Sequence, residues 1–456
     1  MSRSEGRCPG PVAQRGRFTR RSFLELGSLA LGGLCLRDLL RLREAQGVGA
    51  SSPPDTAVIL IWLQGGPTHI DMYDLKPEAP DSIRGPFQPI STVVPGLDVC
   101  EHMPLHAKVA DKLSIIRSIS HKWAGHQGGT QRFITGYDPP RPQLSQGAFP
   151  EIGSVVAKVR EGINVGVPNY VCSSRGVPYG GPAYLGNAAS PFVVSGDPNS
   201  PKFTVRNITP PPELAGALDD RATLLKGLDT FRRELDRSGS MDALDKFDRQ
   251  ALDLLTSDKV RRAFDIAQEP DALRDKYGRH KWGQRALLAR RLVEAGCSFV
   301  TMVLQNAQVG KASNWDDHAV NWHIFDENKK RLPIYDRAVC SLIEDLYDRG
   351  LDKKVMLIVA GEFGRTPRIN YNRGVGRGHY PHAMSVLVSG GGMRMGQVIG
   401  STDDEAAHPK DRPLAPEDLW ATVYRFLGID INRKFVDRGG REVRILPGGE
   451  PIAELI

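Results

Sequence analysis

Apolar residues along this chain cluster into short unbroken runs separated by amphipathic stretches, and the two alternate. Residues 57–63 (AVILIWL) form a β-branched run that stops at Gly65-Gly66-Pro67. Such a run reads as a strand buried on both faces that opens into a loop. The same grammar returns at 297–304 (CSFVTMVL), after a helical pattern over 283–295, and at 355–360 (VMLIVA), after another over 335–349. A fourth run, 383–389, leads into three glycines, and a helical pattern over 416–427 ends at Gly428, as helix C-termini often do. Strand and helix alternating in this way predict an α/β fold with a largely parallel sheet, whose ligands bind beyond the carboxyl ends of the strands.

Two stretches break the alternation. Residues 168–211 are rich in Gly, Pro, Ser and Asn without a sustained period, and read as loops or a small lid. Residues 214–276 are strongly charged and helical in pattern, so a helical insertion is expected near 212–280.

The first 50 residues are of another kind. Arg20-Arg21 precede Ser22-Phe23-Leu24 and a short apolar run over 26–36, the order of a twin-arginine export signal. That run is too short to span a bilayer core of about 30 Å and is interrupted by Gly27, Gly32 and Gly33. Residues 1–50 are therefore expected to be a leader and 51–456 the globular domain, delivered to the periplasm or the extracellular space. The formal charge of +7 weakens as a clue for the same reason, since Arg3, Arg7, Arg15, Arg17, Arg20 and Arg21 crowd into the leader. Without them the domain is nearly neutral, which argues against a nucleic-acid partner. Outside the leader, Cys100, Cys172, Cys297 and Cys340 are scattered without CxxC or other close pairing, which argues against zinc-ribbon and redox motifs. An oxidising compartment would allow up to two disulfides among them, although Cys297 and Cys340 lie in apolar stretches suited to buried thiols.

Candidate chemistry gathers just beyond the predicted strands. His69, Asp71 and Asp74 follow the first, although Asp71 could instead cap a helix. Asp316, Asp317 and His318, with His323 close by, follow the 297–304 run; Glu362 and Arg365 follow the 355–360 run; and His379 and His382 precede the fourth. Mixed carboxylate and imidazole donors favour zinc, manganese or iron over calcium. An ion pair is the bland reading of Glu362 with Arg365.

These clusters together resemble the alkaline phosphatase and sulfatase superfamily. More narrowly the chain is similar to an exported bacterial family, abundant in planctomycetes, catalogued as domain of unknown function 1501. That likeness rests on GGPTHIDMYDLKP, LLARRLVEAG, DLYDRGL, GEFGRTP, GGGMRMGQVIGSTD and DRPLAPEDLWATVYRFLGID, and so runs over nearly the whole chain. The resemblance implies an alkaline-phosphatase-like three-layer sandwich, a mostly parallel sheet with helices on both faces. It further implies one or two divalent metals held by some of Asp71, Asp316, Asp317, His318, Glu362 and His379, and hydrolysis of a phosphate or sulfate ester. Arg365 or Arg132 would neutralise the oxyanion. The substrate would be a small-molecule or polysaccharide ester, and a co-exported partner protein is compatible with the pattern.

The sequence also departs from that pattern. Residues 126–136 (HQGGTQRFITG) match the length and ending of the sulfatase nucleophile segment, but His126 stands where Cys or Ser would. Formylglycine cannot be made from histidine, whereas an imidazole can be a phosphoryl nucleophile, an acid/base or a ligand. At Glu362-Phe363 the carboxylate of an Asp-His metal pair survives and its imidazole does not. A non-catalytic exported binding or envelope protein that kept the fold is the rival expectation.

Overall fold

A computed structural model describes residues 55–163, 167–174, 176–205, 258–320 and 322–456. The stretch expected to be a twin-arginine leader lies outside the described residues, as does most of the charged stretch expected to be an insertion. Eight strands form the main sheet: β1 (Ala57–Trp62), β2 (Leu113–Ile119), β3 (Tyr170–Ser173), β4 (Phe192–Val194), β5 (Phe299–Val303), β6 (Val355–Ala360), β7 (Met384–Gly390) and β8 (Gln397–Ile399). Their order across the sheet is β8-β2-β7-β6-β1-β5-β3-β4. β1 is central and parallel to both neighbours, with Ile59 opposite Val300 on one side and Leu357 on the other. Among the described strands β7 alone runs against the rest, pairing antiparallel with β2 and β6.

Burial on both faces explains why β1 is apolar at every position. Ile59 and Ile61 face one way, with Val300, Met302, Leu357 and Val359, onto α3 (Lys281–Glu294) and α4 (Ile324–Asp348). Val58, Leu60 and Trp62 face the other way, with Met356 and Ile358, onto α1 (His126–Thr135), α2 (Ile152–Val159) and α5 (Pro416–Phe426). Each such aliphatic side chain contributes about 1.5–3 kcal/mol by leaving water. The molecule is thus the α/β fold with a mostly parallel sheet that the apolar runs predict, and the three-layer sandwich with helices on both faces that the resemblance implies.

Two local expectations change. The Gly- and Pro-rich stretch 168–211 is not wholly loop, because YVCS and FVV add β3 and β4 to the edge of the main sheet. Both are too short for a periodic signal. Helix α4 starts well before residue 335: Pro333 hides its first half in the sequence, while the structure carries the proline inside the helix. His323 opens that helix by accepting the Asp326 N–H at Nδ1. Of the predicted insertion, 206–257 lies outside the described residues; the remainder includes the short helices Asp258–Phe264 and Asp271–Tyr277, packed on α3.

The described cysteines, Cys100, Cys172, Cys297 and Cys340, are all buried and free. Cys340 belongs to a core network in which His106 Nδ1 lies 2.6 Å from Asp336 Oδ1 and 3.3 Å from Cys340 Sγ. Tyr73 Oη joins that network at His106 Nε2, 3.1 Å away, and at Tyr335 Oη, 2.6 Å away. Buried polar groups that satisfy one another in this way fix how α4 packs on the Pro104–Lys108 helix and the loop after β1. Among the described residues no helix is long and apolar enough to cross a membrane.

Candidate metal centre

The parallel strands end along one edge of the sheet, and the reversed strand β7 begins there. The loops after β1, β5 and β6, the start of α1 and the segment before β7 therefore meet. Glycines let them approach closely. At Gly65, where φ is +112°, a Cβ would lie 2.5 Å from the Asp316 nitrogen; at Gly66, with φ +82°, it would lie 2.6 Å from the Phe363 ring. No larger residue fits either place without moving the β5 or β6 loop.

Asp316 is the centre of what gathers there. Its Oδ1 lies 2.9 Å from His318 Nε2 and 3.0 Å from His379 Nε2, and its Oδ2 lies 3.2 Å from His126 Nε2. The two ring nitrogens His318 Nε2 and His379 Nε2 are themselves 2.8 Å apart. These four donors lie within 4.8 Å of one another. Their side chains keep 17–30% of their surface exposed, so the cluster faces solvent and is open to a ligand.

Outer partners orient the rings. His379 Nδ1 donates to the Ala124 carbonyl at 2.8 Å, and a carbonyl can only accept. The neutral ring therefore presents a lone pair at Nε2 to the Asp316 carboxylate. Two acceptors facing at 3.0 Å are relieved by a shared proton, as from His318 Nε2 at 2.8 and 2.9 Å, or by a cation between them. Burial first, and then the Arg365 and His126 charges, hold the His379 pKa below its ordinary value against the pull of Asp316, which disfavours the proton. A cation bound by nitrogen and carboxylate donors fits this set. Tetrahedral zinc with bonds of about 2.0–2.1 Å separates its ligands by about 3.3 Å, close to the spacings seen here.

His126 is engaged on both sides. Its Nδ1 lies 2.8 Å from Glu362 Oε1, while Nε2 faces Asp316. Burial alone would lower its pKa, but hydrogen bonds to Asp316 and Glu362, with their charges, lift it to about 9. Asp316 shows the converse: burial opposes ionisation, yet hydrogen bonds from His126, His318 and His379 and the nearby Arg365 hold its pKa far below the usual carboxylate range.

The structure separates the sequence candidates. His126, Asp316, His318 and His379 come together. Glu362 stands behind His126, accepting from the Gly65 N–H at 3.0 and 3.2 Å, so it orients an imidazole from outside the donor set. Asp71 does not join: it forms a bidentate pair with Arg377, 2.8 Å at each oxygen, and accepts from Thr68 Oγ1. Asp317 also turns away, paired with Arg331 and accepting from Trp322 Nε1 at 2.6 Å. Adjacent aspartates in an extended loop point to opposite sides, which residue type alone does not reveal.

Neither arginine is placed to meet an oxyanion. Arg132 ties α1 to α5 through Glu417 and the Gly136 carbonyl. Arg365 is fully buried, and its donors go to the carbonyls of Gly65, Gly66, Trp315 and Arg377 and to Asp316 Oδ1 at 2.8 Å. The short pairing of Gly364–Arg365 with His379–Tyr380 sets Arg365 opposite His379. Phe363 lies against the rings of His379 and His126, centroids 4.5 and 5.4 Å away, in an apolar wedge. His69 sits deeper, accepting the Arg365 N–H at Nδ1.

Sequence reasoning missed His121. Its Nδ1 accepts the Trp123 N–H at 3.1 Å and its Nε2 donates to the Glu362 carbonyl at 2.7 Å, joining the loop before α1 to the loop after β6. Burial pushes its pKa down to about 4, so it stays neutral and keeps that tautomer. Its position five residues before His126 carries no distinguishing signal.

The class is therefore defined by a three-layer α/β sandwich with a cluster of three imidazoles and a carboxylate on its strand-end edge. The chain belongs to the family described as Protein of unknown function (DUF1501), whose profile matches residues 55–456. No curated protein matches it. Solved structures similar to it include the PsFucS1 sulfatase from Pseudoalteromonas sp., at 12% identity and a TM-score of 0.32 over 86% of this chain and 70% of that one. The phosphonate monoester hydrolase of Agrobacterium radiobacter gives 12% identity and 0.37 over 88% and 77%. The lipoteichoic acid synthase LtaP from Listeria monocytogenes gives 8% and 0.34 over 86% and 78%.

Proposed function

We propose that this chain is an exported, metal-dependent hydrolase of phosphate or sulfate esters, small-molecule or polysaccharide. The observation that carries the reading is the convergence of His126, Asp316, His318 and His379 around one solvent-facing point, with a neutral His379 lone pair aimed at a carboxylate. Those four residues would hold a zinc, manganese or iron ion. Such an ion, when bound, supplies Lewis-acid polarisation of an ester oxygen and acidifies water. The remaining residues position the donors. Glu362 fixes the His126 tautomer, Ala124 fixes His379, and Arg365 holds Asp316 while the Phe363 ring keeps water from the inner side. With Nδ1 tied to Glu362 and Nε2 turned toward the central carboxylate, His126 is oriented as a ligand of the cluster. The twin-arginine leader supports export, and that route suits a protein folded around its metal before it crosses the membrane.

The test is metal content by mass spectrometry, together with turnover of 4-nitrophenyl phosphate, a phosphodiester analogue and 4-nitrophenyl sulfate. Wild type should carry stoichiometric metal and hydrolyse at least one ester, and a His318→Ala/His379→Ala variant should lose both. A metal-free wild type would move the assignment to a binding or envelope protein.

A further inference from the structure

We infer that the centre holds one divalent ion and no second, because the buried guanidinium of Arg365 takes the remaining side of Asp316 Oδ1 and the other carboxylates nearby are already paired. This inference rests on the metal-centre reading above and concerns the number of ions it takes. A two-metal site places its ions about 3.5–4 Å apart, so a second ion here would have to draw on Asp316 or on another carboxylate close by. Here the carboxylate at the centre is Asp316, whose Oδ2 faces His126 and whose Oδ1 faces His318 and His379. The remaining side of Oδ1 is taken by Arg365 Nη2 at 2.8 Å. That guanidinium is fully buried, is held by four backbone carbonyls and meets Asp316 as its carboxylate. It cannot swing out to make room without stranding a charge in the core.

A second ion would also need anionic ligands of its own, and the nearby ones are committed to cations. Asp71 is chelated by Arg377, Asp317 is paired with Arg331, and Asp74 lies 3.1 Å from Lys76 and 3.7 Å from Arg117. Glu362 accepts from His126 and from the Gly65 N–H. Electrostatics agrees with geometry. Asp316, Glu362, Arg365 and a single dication leave one net positive charge facing solvent, enough to attract an anionic ester. A second dication beside the guanidinium would add uncompensated positive charge at contact distance.

The experiment uses the chelator-stripped full-length protein titrated with Co²⁺, read by visible absorption, and separately with Zn²⁺, read by calorimetry and by elemental analysis after gel filtration. The expected result is saturation at one equivalent per chain by every readout, with the cobalt bands of a low-symmetry nitrogen and oxygen site, and loss of that equivalent in His318→Ala. Saturation at two equivalents overturns the single-ion inference and leaves the metal-centre reading standing. No uptake at all overturns the metal-centre reading, and this inference with it. Circular dichroism of the stripped wild type and of His318→Ala, matching that of the untreated protein, separates the count from any loss of folding.

Discussion

Glu362→Gln is the perturbation that isolates the outer partner of the centre. The carboxylate accepts from His126 Nδ1 at 2.8 Å and from the Gly65 N–H, and is fully buried. The amide keeps its shape and one acceptor but loses the charge. Removing the hydrogen-bonding partner of a ligating histidine typically lowers metal affinity 10–100-fold, or about 1.4–2.7 kcal/mol. The loss should depend on pH, and the sign follows from His126. In the metal-free protein its pKa stands at about 9, so below that value a proton must leave before the ring can ligate. Glu362 is one of the two carboxylates that hold that proton, so Glu362→Gln also eases its departure. The affinity deficit should accordingly be largest near pH 9 and shrink toward pH 6. Competition titrations against a chromophoric chelator, at several pH values and with circular dichroism to confirm folding, measure this directly. A folded variant with wild-type zinc affinity at pH 9 would refute the role given to Glu362.

Two other outcomes follow from the same contacts. His126 is raised from 6.5 to about 9 in the folded chain, so the stability it contributes is fully present below pH 6.5 and disappears as pH rises through 9. The melting temperature of chelator-treated protein should fall over that window, and a rise across it would contradict the assignment. Arg331→Met strands the buried Asp317 carboxylate and should cost about 3–5 kcal/mol in denaturant unfolding; a change below about 1 kcal/mol would show that the β5 loop is held by something else.

The sheet was legible because parallel strands buried on both faces need unbroken apolar runs, and β1, β5 and β6 supply them at nearly the observed boundaries. Strands β3 and β4 were not legible, since a few residues at a sheet edge leave no period to read. Of the site, Asp316, His318 and His379 could be picked out because they sit beside the ends of predicted strands, and His126 because residues 126–136 resemble the sulfatase nucleophile segment. Their neighbours could not be sorted the same way. Asp71 and Asp317 are as suitable by type, and only the three-dimensional placement of Arg377 and Arg331 removes them. Glu362 and Arg365 were recognised as important, but their place behind the donors depends on burial that a sequence does not record.

The central claim is that His126, Asp316, His318 and His379 ligate one ion. X-ray absorption at the metal edge of zinc-loaded protein tests it most directly. The account expects a first shell of nitrogen and oxygen at about 2.0–2.1 Å with the outer scattering of three imidazoles, falling to two in His379→Ala. A first shell containing sulfur, or one without imidazole scattering, would contradict it.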